Sequence, residues 1–315
     1  YTTAGSTTIP TRKDANVNGY VVYYYCEGNT NYSAKAGSVT TKINKASLTI
    51  TADNKTMTYG GTAPTYTYTG AGYVNGETAS VLGGTASYTV KNSSGTTVTV
   101  SSTTAAGTYT ITPSGLSSNN YNITYKAGTL TIGQENGYVT LDANKSVAYG
   151  TASTTFAVKT NHGGTISVSD DNSTATSAIS GTTVTISNLN TLSAGTTVKV
   201  TVKVAATTNY KAASATFTLT IVKATNPITV TGNTLTYNGK AQNLVTTAKA
   251  QGAVYYSVGT SLTSSNYTTA GSTTIPTQTS ANTSGYVVYY YCVGNGNYSA
   301  KSGNVTVKIA KDASV

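Results

Sequence analysis

TVKVTVKVAATTNYKAASATFTLTIV, residues 197–222, decides the fold. Val198, Val200, Val202 and Val204 alternate with Lys199, Thr201 and Lys203, and Phe217, Leu219 and Ile221 alternate with Thr216, Thr218 and Thr220. A period of two sends one set of side chains to a core and the other to water, the pattern of half-buried β-strands. Asn209-Tyr210 lies in the connection between them, a hairpin-type corner. On the same beat stand Asn31-Tyr32, Asn120-Tyr121 and Asn297-Tyr298, with successive tyrosines 89, 89 and 88 residues apart. Gly19, Gly107, Gly195 and Gly285, each just before a strand-like run, repeat at 88, 88 and 90 residues. A period near 90 is too long for a solenoid or propeller repeat and suits one immunoglobulin-like β-sandwich of about 100 residues per copy. The chain reads as an all-β tandem array.

Residues 267–311 nearly duplicate residues 1–45, at an offset of 266, with Tyr1 equivalent to Tyr267. The segment 225–266 that precedes the second copy has no counterpart before the first. The duplication predicts a chain that opens part-way through a repeat, and a longer parent with a three-repeat super-period.

Closing strands recur at Val39-Thr41-Ile43, Leu130-Ile132, Phe217-Leu219-Ile221 and Val305-Val307-Ile309. Each is followed by a short hinge: Lys45-Ala46, 133–137, Lys223-Ala224 and Lys311-Asp312. Opening strands follow at Leu48/Ile50, Val139/Leu141 and Ile228/Val230, and then a tyrosine before a turn, at Tyr59-Gly60, Tyr149-Gly150 and Tyr237-Asn238-Gly239. Asn-Gly is a strong short-range turn signal. The expected organisation is therefore the C-terminal half of a repeat at 1–45, sandwiches at 46–134, 135–224 and 225–311, and the start of a further linker at 312–315. Linkers this short predict a semi-stiff rod. Gly and Thr interrupt every stretch of helical periodicity, so no helix is expected.

Only 9% of residues are charged, Thr supplies about a fifth of the chain, and tyrosine (26) outnumbers phenylalanine (2), with no tryptophan. Thr, Val and Tyr favour strands, and Gly, Asn and Ser favour turns. The net charge of +10 comes from scattered lysines such as Lys35, Lys55, Lys91, Lys159, Lys199, Lys240 and Lys301; Arg12-Lys13 is the one adjacent basic pair. Nucleic-acid binders concentrate basic residues and favour arginine, so nucleic acid is not an expected partner. Single lysines suit solvated strand faces and edges that discourage pairing. A diffuse attraction to anionic wall polymers, acidic glycans or mucin is compatible with the charge. No run of 18 to 20 apolar residues predicts membrane insertion. Cys26 and Cys292 occupy the same duplicated position, one per repeat, which argues against a disulfide within a repeat. Both are expected as buried thiols on GYVVYYYC, with an interchain bridge as the minority reading.

In residues 46–133, Lys55, Tyr59-Gly60, Pro64, Asn75-Gly76-Glu77, Gly107-Thr108-Tyr109 and Asn120-Tyr121 resemble the mostly-β, glycine-rich (MBG) repeat of bacterial surface proteins. The units at 135–224 and 225–311 resemble divergent bacterial immunoglobulin-like repeats. The resemblance implies an extracellular location on a bacterial surface and adhesin or stalk architecture, and it brings no catalytic residue.

The chemical inventory agrees. His162 is the one histidine, in the turn Asn161-His162-Gly163-Gly164, where a solvated loop residue is the expected reading. A histidine triad or multi-histidine metal site is excluded by count. Asp170-Asp171 is too sparse for a calcium site, which takes six to eight oxygen ligands. The Gly-rich stretches lack the Lys-Ser/Thr ending of a phosphate loop. A Lys–Asn isopeptide lock needs a neighbouring acid; residues 225–311 contain none, and Asp53 and Glu77 are the candidates at 46–134. No enzyme activity, cofactor or metal is expected.

The sequence therefore reads as a stalk or filament segment of a bacterial cell-surface protein, with neighbouring repeats as its partners; a glycan- or mucin-binding module is the runner-up. Tyrosines gathered at one loop end would favour the binder, and tyrosines spread through cores and junctions the stalk. Tyr32, Tyr121, Tyr210, Tyr298, Tyr59, Tyr149, Tyr237, Cys26 and Cys292 are expected to be structural, with Tyr210 mostly buried in its own domain. The apolar faces of residues 1–45 are expected to be completed by a neighbouring chain in head-to-tail association, or else to be disordered or to aggregate.

Overall fold

The computed structural model describes residues 5–313, so the Tyr1 equivalence lies outside the described residues. The chain separates into two compact units, one holding the residues up to Asn136 together with Thr208–Lys211, the other Gly137–Thr207 and the residues from Ala212 onward.

Repeat I (1–45) is an antiparallel hairpin of β1 (Asn16–Cys26) and β2 (Lys35–Ile43), with a bulge between Asn16 and Tyr20. Repeat II (46–134) contains β3 (Ala46–Ala52), β4 (Lys55–Thr58), β5 (Tyr68–Ala71), β6 (Gly83–Lys91), β7 (Gly107–Ser117), β8 (Tyr121–Lys126) and β9 (Gly128–Gly133). Its sheets run β5-β3-β8 and β4-β9-β7-β6. Repeat III (135–224) contains β10 (Val139–Leu141), β11 (Lys145–Ala148), β12 (Thr154–Thr160), β13 (Ile166–Asp170), β14 (Thr176–Ser180), β15 (Thr183–Ser187), β16 (Thr197–Val204) and β17 (Ala213–Val222). These form sheets β10-β12-β15-β14 and β11-β17-β16-β13. Repeat IV (225–311) contains β18 (Thr229–Gly232), β19 (Leu235–Thr236), β20 (Gln242–Asn243), β21 (Val245–Ala248), β22 (Val254–Val258), β23 (Thr277–Gln278), β24 (Asn282–Cys292) and β25 (Lys301–Ala310). Its main sheet is β19-β25-β24-β22, with β18-β21 and β20-β23 as two-stranded companions.

The alternation in 197–222 becomes a core. Val198, Val200, Val202, Val204, Phe217, Leu219 and Ile221 are at most 1% exposed. Phe217 stacks on Phe156 of the opposing sheet with ring centroids 4.1 Å apart. Repeat II buries Ile111, Leu130 and Ile132 in one cluster and Leu48, Ile50 and Tyr121 in another. Repeat IV centres on Leu244, Val245, Tyr256, Val288, Val307 and Ile309. Each of these repeats is an all-β sandwich, as period-two patterning on two facing sheets requires.

One local expectation is corrected. Tyr267–Ala270 forms a single helical turn, α1, and 3-10 turns occur at Ala79–Val81 and Leu189–Thr191. The turn needs only local bonds, Ala270 N–H to Asn266 O at 2.8 Å and Gly271 N–H to Tyr267 O at 3.1 Å, which periodicity cannot reveal. It places the Tyr267 ring against Tyr255 and Tyr291, at 4.8 and 4.7 Å between centroids.

Candidate functional site

The most regular chemistry in the molecule lies where one repeat hands over to the next. In repeats II, III and IV a short strand pairs in parallel with the closing strand (β4 with β9, β11 with β17, β19 with β25) and ends at the tyrosine of the Tyr-Gly or Tyr-Asn-Gly turn. The N–H groups of Tyr59, Tyr149 and Tyr237 donate to Gly133 O, Val222 O and Ala310 O, each at 2.8 Å. Gly60 and Gly150 then reverse the chain at φ +83° and +86°, a conformation costly for residues with a Cβ. Each tyrosine ring is thus pinned beside the hinge at the end of its repeat.

The Asn-Tyr corner of the following repeat meets that end. The hinge residues Ala46, Glu135 and Ala224 donate their N–H groups to the main-chain oxygens of Asn120, Asn209 and Asn297, all at 2.9 Å. The side chains of the same asparagines reach the other way: their Oδ1 atoms accept the N–H groups of Ala15, Ala106 and Ala194, also at 2.9 Å. Those alanines belong to the preceding repeat, just before the strand that pairs antiparallel with its closing strand (β1, β7 and β16). One asparagine therefore ties the hinge and the previous repeat together, with its carbonyl groups as acceptors on both sides. Lys45 Nζ donates to Ser118 O at 2.9 Å and Lys223 Nζ to Asn295 O at 2.8 Å, each two residues before the corner asparagine. Each such bond contributes about 1 kcal/mol net.

The tyrosine beside the asparagine completes the contact. Tyr210 meets Tyr59 edge to face at 5.5 Å and 70°, and Tyr298 meets Tyr149 at 5.4 Å and 77°. This geometry sets the positive ring edge against the negative face and adds about 1 kcal/mol beyond area. The expectation for Tyr210 is corrected: it is half-buried and its ring lies on Tyr59 of repeat II. Tyr121 instead has the own-domain geometry expected of Tyr210, at 2% exposure. Its hydroxyl donates to Glu77 Oε2 at 2.7 Å and accepts the Val74 N–H at 2.9 Å. Burial, reinforced by the Glu77 carboxylate, raises its pKa against the lowering pull of the Val74 N–H. In repeat II the corner opens into a full strand, β8, which pairs in parallel with β3 and draws Tyr121 inward. Repeats III and IV keep only single parallel bridges, Glu135 to Tyr210 and Ala224 to Tyr298.

The two terminal members of the set differ. Tyr32 is 75% exposed and Tyr237 is 43% exposed. Cys292 is buried as expected, but Cys26 is exposed, a correction. The reason is cover: Cys292 lies under Asn226, whose Nδ2 donates to its Sγ at 3.3 Å, and the described residues place nothing equivalent over Cys26. Asn226 went unremarked in the sequence because a polar residue beside a hinge looks like a turn former. It is fully buried, and its Oδ1 accepts the N–H groups of Ile228 and Gln251, both at 3.2 Å.

The remaining chemical candidates are occupied in structural roles. His162 is only 9% exposed, correcting the solvated reading; its Nδ1 accepts the Gly164 N–H at 3.2 Å and closes its own turn. Asp170 accepts main-chain N–H groups from Asn172 and Ser177, and Asp171 accepts that of Lys199. Asp53 takes the hydroxyls of Thr67 and Thr69, which lower its pKa, while Glu77 takes Tyr121. Among the described residues no three His, Cys, Asp or Glu side chains group as metal ligands, and no helix is long and apolar enough to cross a membrane.

Fold and junctions together define a tandem array of β-sandwich repeat modules. Residues 48–131 match the model of the MBG domain (YGX type), so the resemblance seen in repeat II holds, with Tyr59-Gly60 inside the matched range. No curated protein matches the chain. Similar solved structures include Drosophila N-cadherin EC1-4 (10% identity, 93% of this chain and 83% of that one, TM-score 0.30). Titin domains A168-A170 (9% identity, 92% and 99%, TM-score 0.31) and the fibronectin(III)-like modules of Clostridium thermocellum CbhA (11% identity, 55% and 94%, TM-score 0.22) are others.

Proposed function

We propose that this chain is a load-bearing stretch of a stalk or extracellular filament in a large bacterial cell-surface protein. The observation that carries the reading is the asparagine clamp, which recurs with the same 2.9 Å bonds at Asn120, Asn209 and Asn297. Main-chain hydrogen bonds across a hinge resist bending and pulling better than side-chain contacts alone, because neither partner can rotate away. The MBG match of repeat II supports the surface location. The tyrosine distribution supports the stalk over the glycan binder: Tyr59, Tyr149, Tyr210 and Tyr298 face one another at junctions, and Tyr109 and Tyr121 lie in cores. The Tyr267 ring meets Tyr255 edge to face and stacks on Tyr291, so these three rings pack on one another.

Antibodies raised against the chain test the location. They are expected to label intact producing cells, and labelling only after permeabilisation would overturn it. Glycan-array binding that survives loss of the clamp but disappears on substitution of exposed tyrosines would favour the adhesive module instead.

A further inference from the structure

We propose that repeat IV is the tension-sensitive member of the chain: pulling along the backbone opens it before repeats II and III, and the segment that yields uncovers Cys292. The inference rests on the load-bearing reading and adds the order in which the repeats release load.

Each of these repeats meets tension through strands near its two ends. In a parallel pair, a pull on the N-terminal side of one strand and the C-terminal side of the other slides the two along their axes, so the evenly spaced bonds of the pair are strained together. Repeat II is held by two such pairs, β3 with β8 over six residue pairs from Ala46 to Thr51 and β4 with β9 over four from Lys55 to Thr58. Repeat III has β11 with β17 over four, from Lys145 to Ala148. Repeat IV has β19 with β25 over two, Leu235 and Thr236. The single hinge bridges, Glu135 to Tyr210 and Ala224 to Tyr298, are alike and do not separate repeats III and IV. Forced opening is governed by the unfolding rate, which is the barrier set by the loaded bonds, so the shortest pair yields first.

Asn233 keeps the pair in repeat IV short. Gly232 is still paired with Val245 of β21. The Asn233 N–H donates to Leu244 O at 2.9 Å, its Nδ2 donates to Asn243 O at 2.8 Å, and its Oδ1 accepts the Thr246 hydroxyl at 2.8 Å. These bonds hold the chain beside β21 until Leu235. In repeat III the ladder of β10 with β12 ends at Leu141, and by Lys145 the chain has crossed to β17.

The yielding segment also covers the thiol. Asn226 lies just upstream of β18 and β19, fully buried, with its Nδ2 donating to Cys292 Sγ at 3.3 Å. Once β19 slides off β25, tension draws out residues 225–236 and takes Asn226 away from Cys292, which is 0% exposed at rest.

Single-molecule pulling of the full chain, tethered by peptide tags at its two ends, tests this. Cys26 is exposed, so a Cys26→Ser chain leaves Cys292 as the one thiol. The chain is held at the force of its first opening step with a maleimide in solution, relaxed, washed and pulled again. The expected result is loss of that first step alone, because an adduct on Cys292 has no room in the closed repeat. A first step that survives the reagent means that another repeat opens first and overturns the proposal. Lys145→Pro, at an exposed position, removes a ladder donor and shortens β11 towards the length of β19. It should bring the opening force of repeat III down to that of repeat IV; an unchanged force would overturn the strand pair as the cause. Asn297→Ala loosens the clamp between repeats III and IV and should leave the order as it was. A reversed order in that variant would assign the order to the clamp and overturn the proposal. Labelling of intact cells tests the location by itself, so a wrong order leaves the stalk reading standing, and a wrong location leaves the order standing.

Discussion

The hairpins of repeat I and repeat IV share almost every residue, and they end in different environments. Their registers match pair for pair: Tyr20 faces Thr41 as Tyr286 faces Val307, and Cys26 faces Lys35 as Cys292 faces Lys301. Even the bulge is reproduced. Asn16 Oδ1 accepts the Gly19 N–H at 3.1 Å and Asn282 Oδ1 the Gly285 N–H at 2.9 Å, with both glycines at φ +98°. A Cβ on either glycine would lie 2.3 or 2.5 Å from the Cγ2 of Thr40 or Thr306, so glycine is required. Burial does not follow. Cys292 and Ile309 are 0% exposed, whereas Cys26 is exposed and Ile43 only half-buried. The difference is the segment 225–266, which adds β22 to the edge of β24 and β19 to the edge of β25 and covers the face with Leu244 and Val245. Local sequence sets the hairpin's register; a distant segment makes it a core.

The largest expected consequence is in thiol reactivity. Cys26 should react with a soluble thiol reagent at the rate of an open cysteine, while Cys292 waits for repeat IV to open. With an opening free energy of several kcal/mol the rates should differ by about a thousandfold or more. Peptide-resolved mass spectrometry reads the two sites in one sample, and comparable rates would break the comparison. Next in size is paired truncation of the same position. Ile309→Ala should destabilise repeat IV by about 3 kcal/mol, and Ile43→Ala should cost about 1 kcal/mol or less. Urea unfolding of both variants decides it, and equal costs would mean that the segment 225–266 contributes no packing.

Asn226→Ala acts between these cases. It removes the acceptor for the Ile228 and Gln251 N–H groups and the donor to Cys292 Sγ. Leaving buried main-chain donors without a partner should cost about 2 kcal/mol. The same variant should accelerate labelling of Cys292 and leave Cys26 unchanged. Acceleration at neither site would mean that Asn226 does not fasten the covering segment.

These contrasts also show what the sequence could and could not convey. Alternation in 197–222 and the recurring Asn-Tyr and Tyr-Gly pairs sufficed for strands and repeats, because both depend on local periodicity and turn chemistry. Cys26 and Tyr210 were misplaced for one physical reason: their environments are set by residues of another repeat or by cover the described residues do not supply. Asn209 was visible as a marker but not as a clamp, since the acceptor role of its side chain depends on Ala106, more than a hundred residues earlier. The signal that could have exposed it was the pairing of two rulers. A polar residue recurring at every corner, in step with a tyrosine recurring at every receiving end, suggests that the two ends meet.

The smallest contrast applies that lesson to the duplicated corner itself. Asn31 and Asn297 occupy equivalent positions and sit in the same local turn, each with its N–H on the Oδ1 of the asparagine two residues before it. Only Asn297 has a receiving repeat beneath it in the chain, where its Oδ1 accepts the Ala194 N–H. Asn297→Ala should therefore lower the stability of the coupled repeats III and IV by about 1 kcal/mol, the net value of one part-buried hydrogen bond, while Asn31→Ala in dilute solution should change stability by only a few tenths. Asn297→Asp sharpens the test. A carboxylate still accepts the Ala194 N–H, so much of the loss should be recovered at neutral pH, whereas a role for the asparagine in turn geometry alone predicts equal costs for Asn31→Ala and Asn297→Ala. Calorimetric melting of the variants resolves the two outcomes. Equal destabilisation by the two alanines would reduce the clamp to a local turn motif.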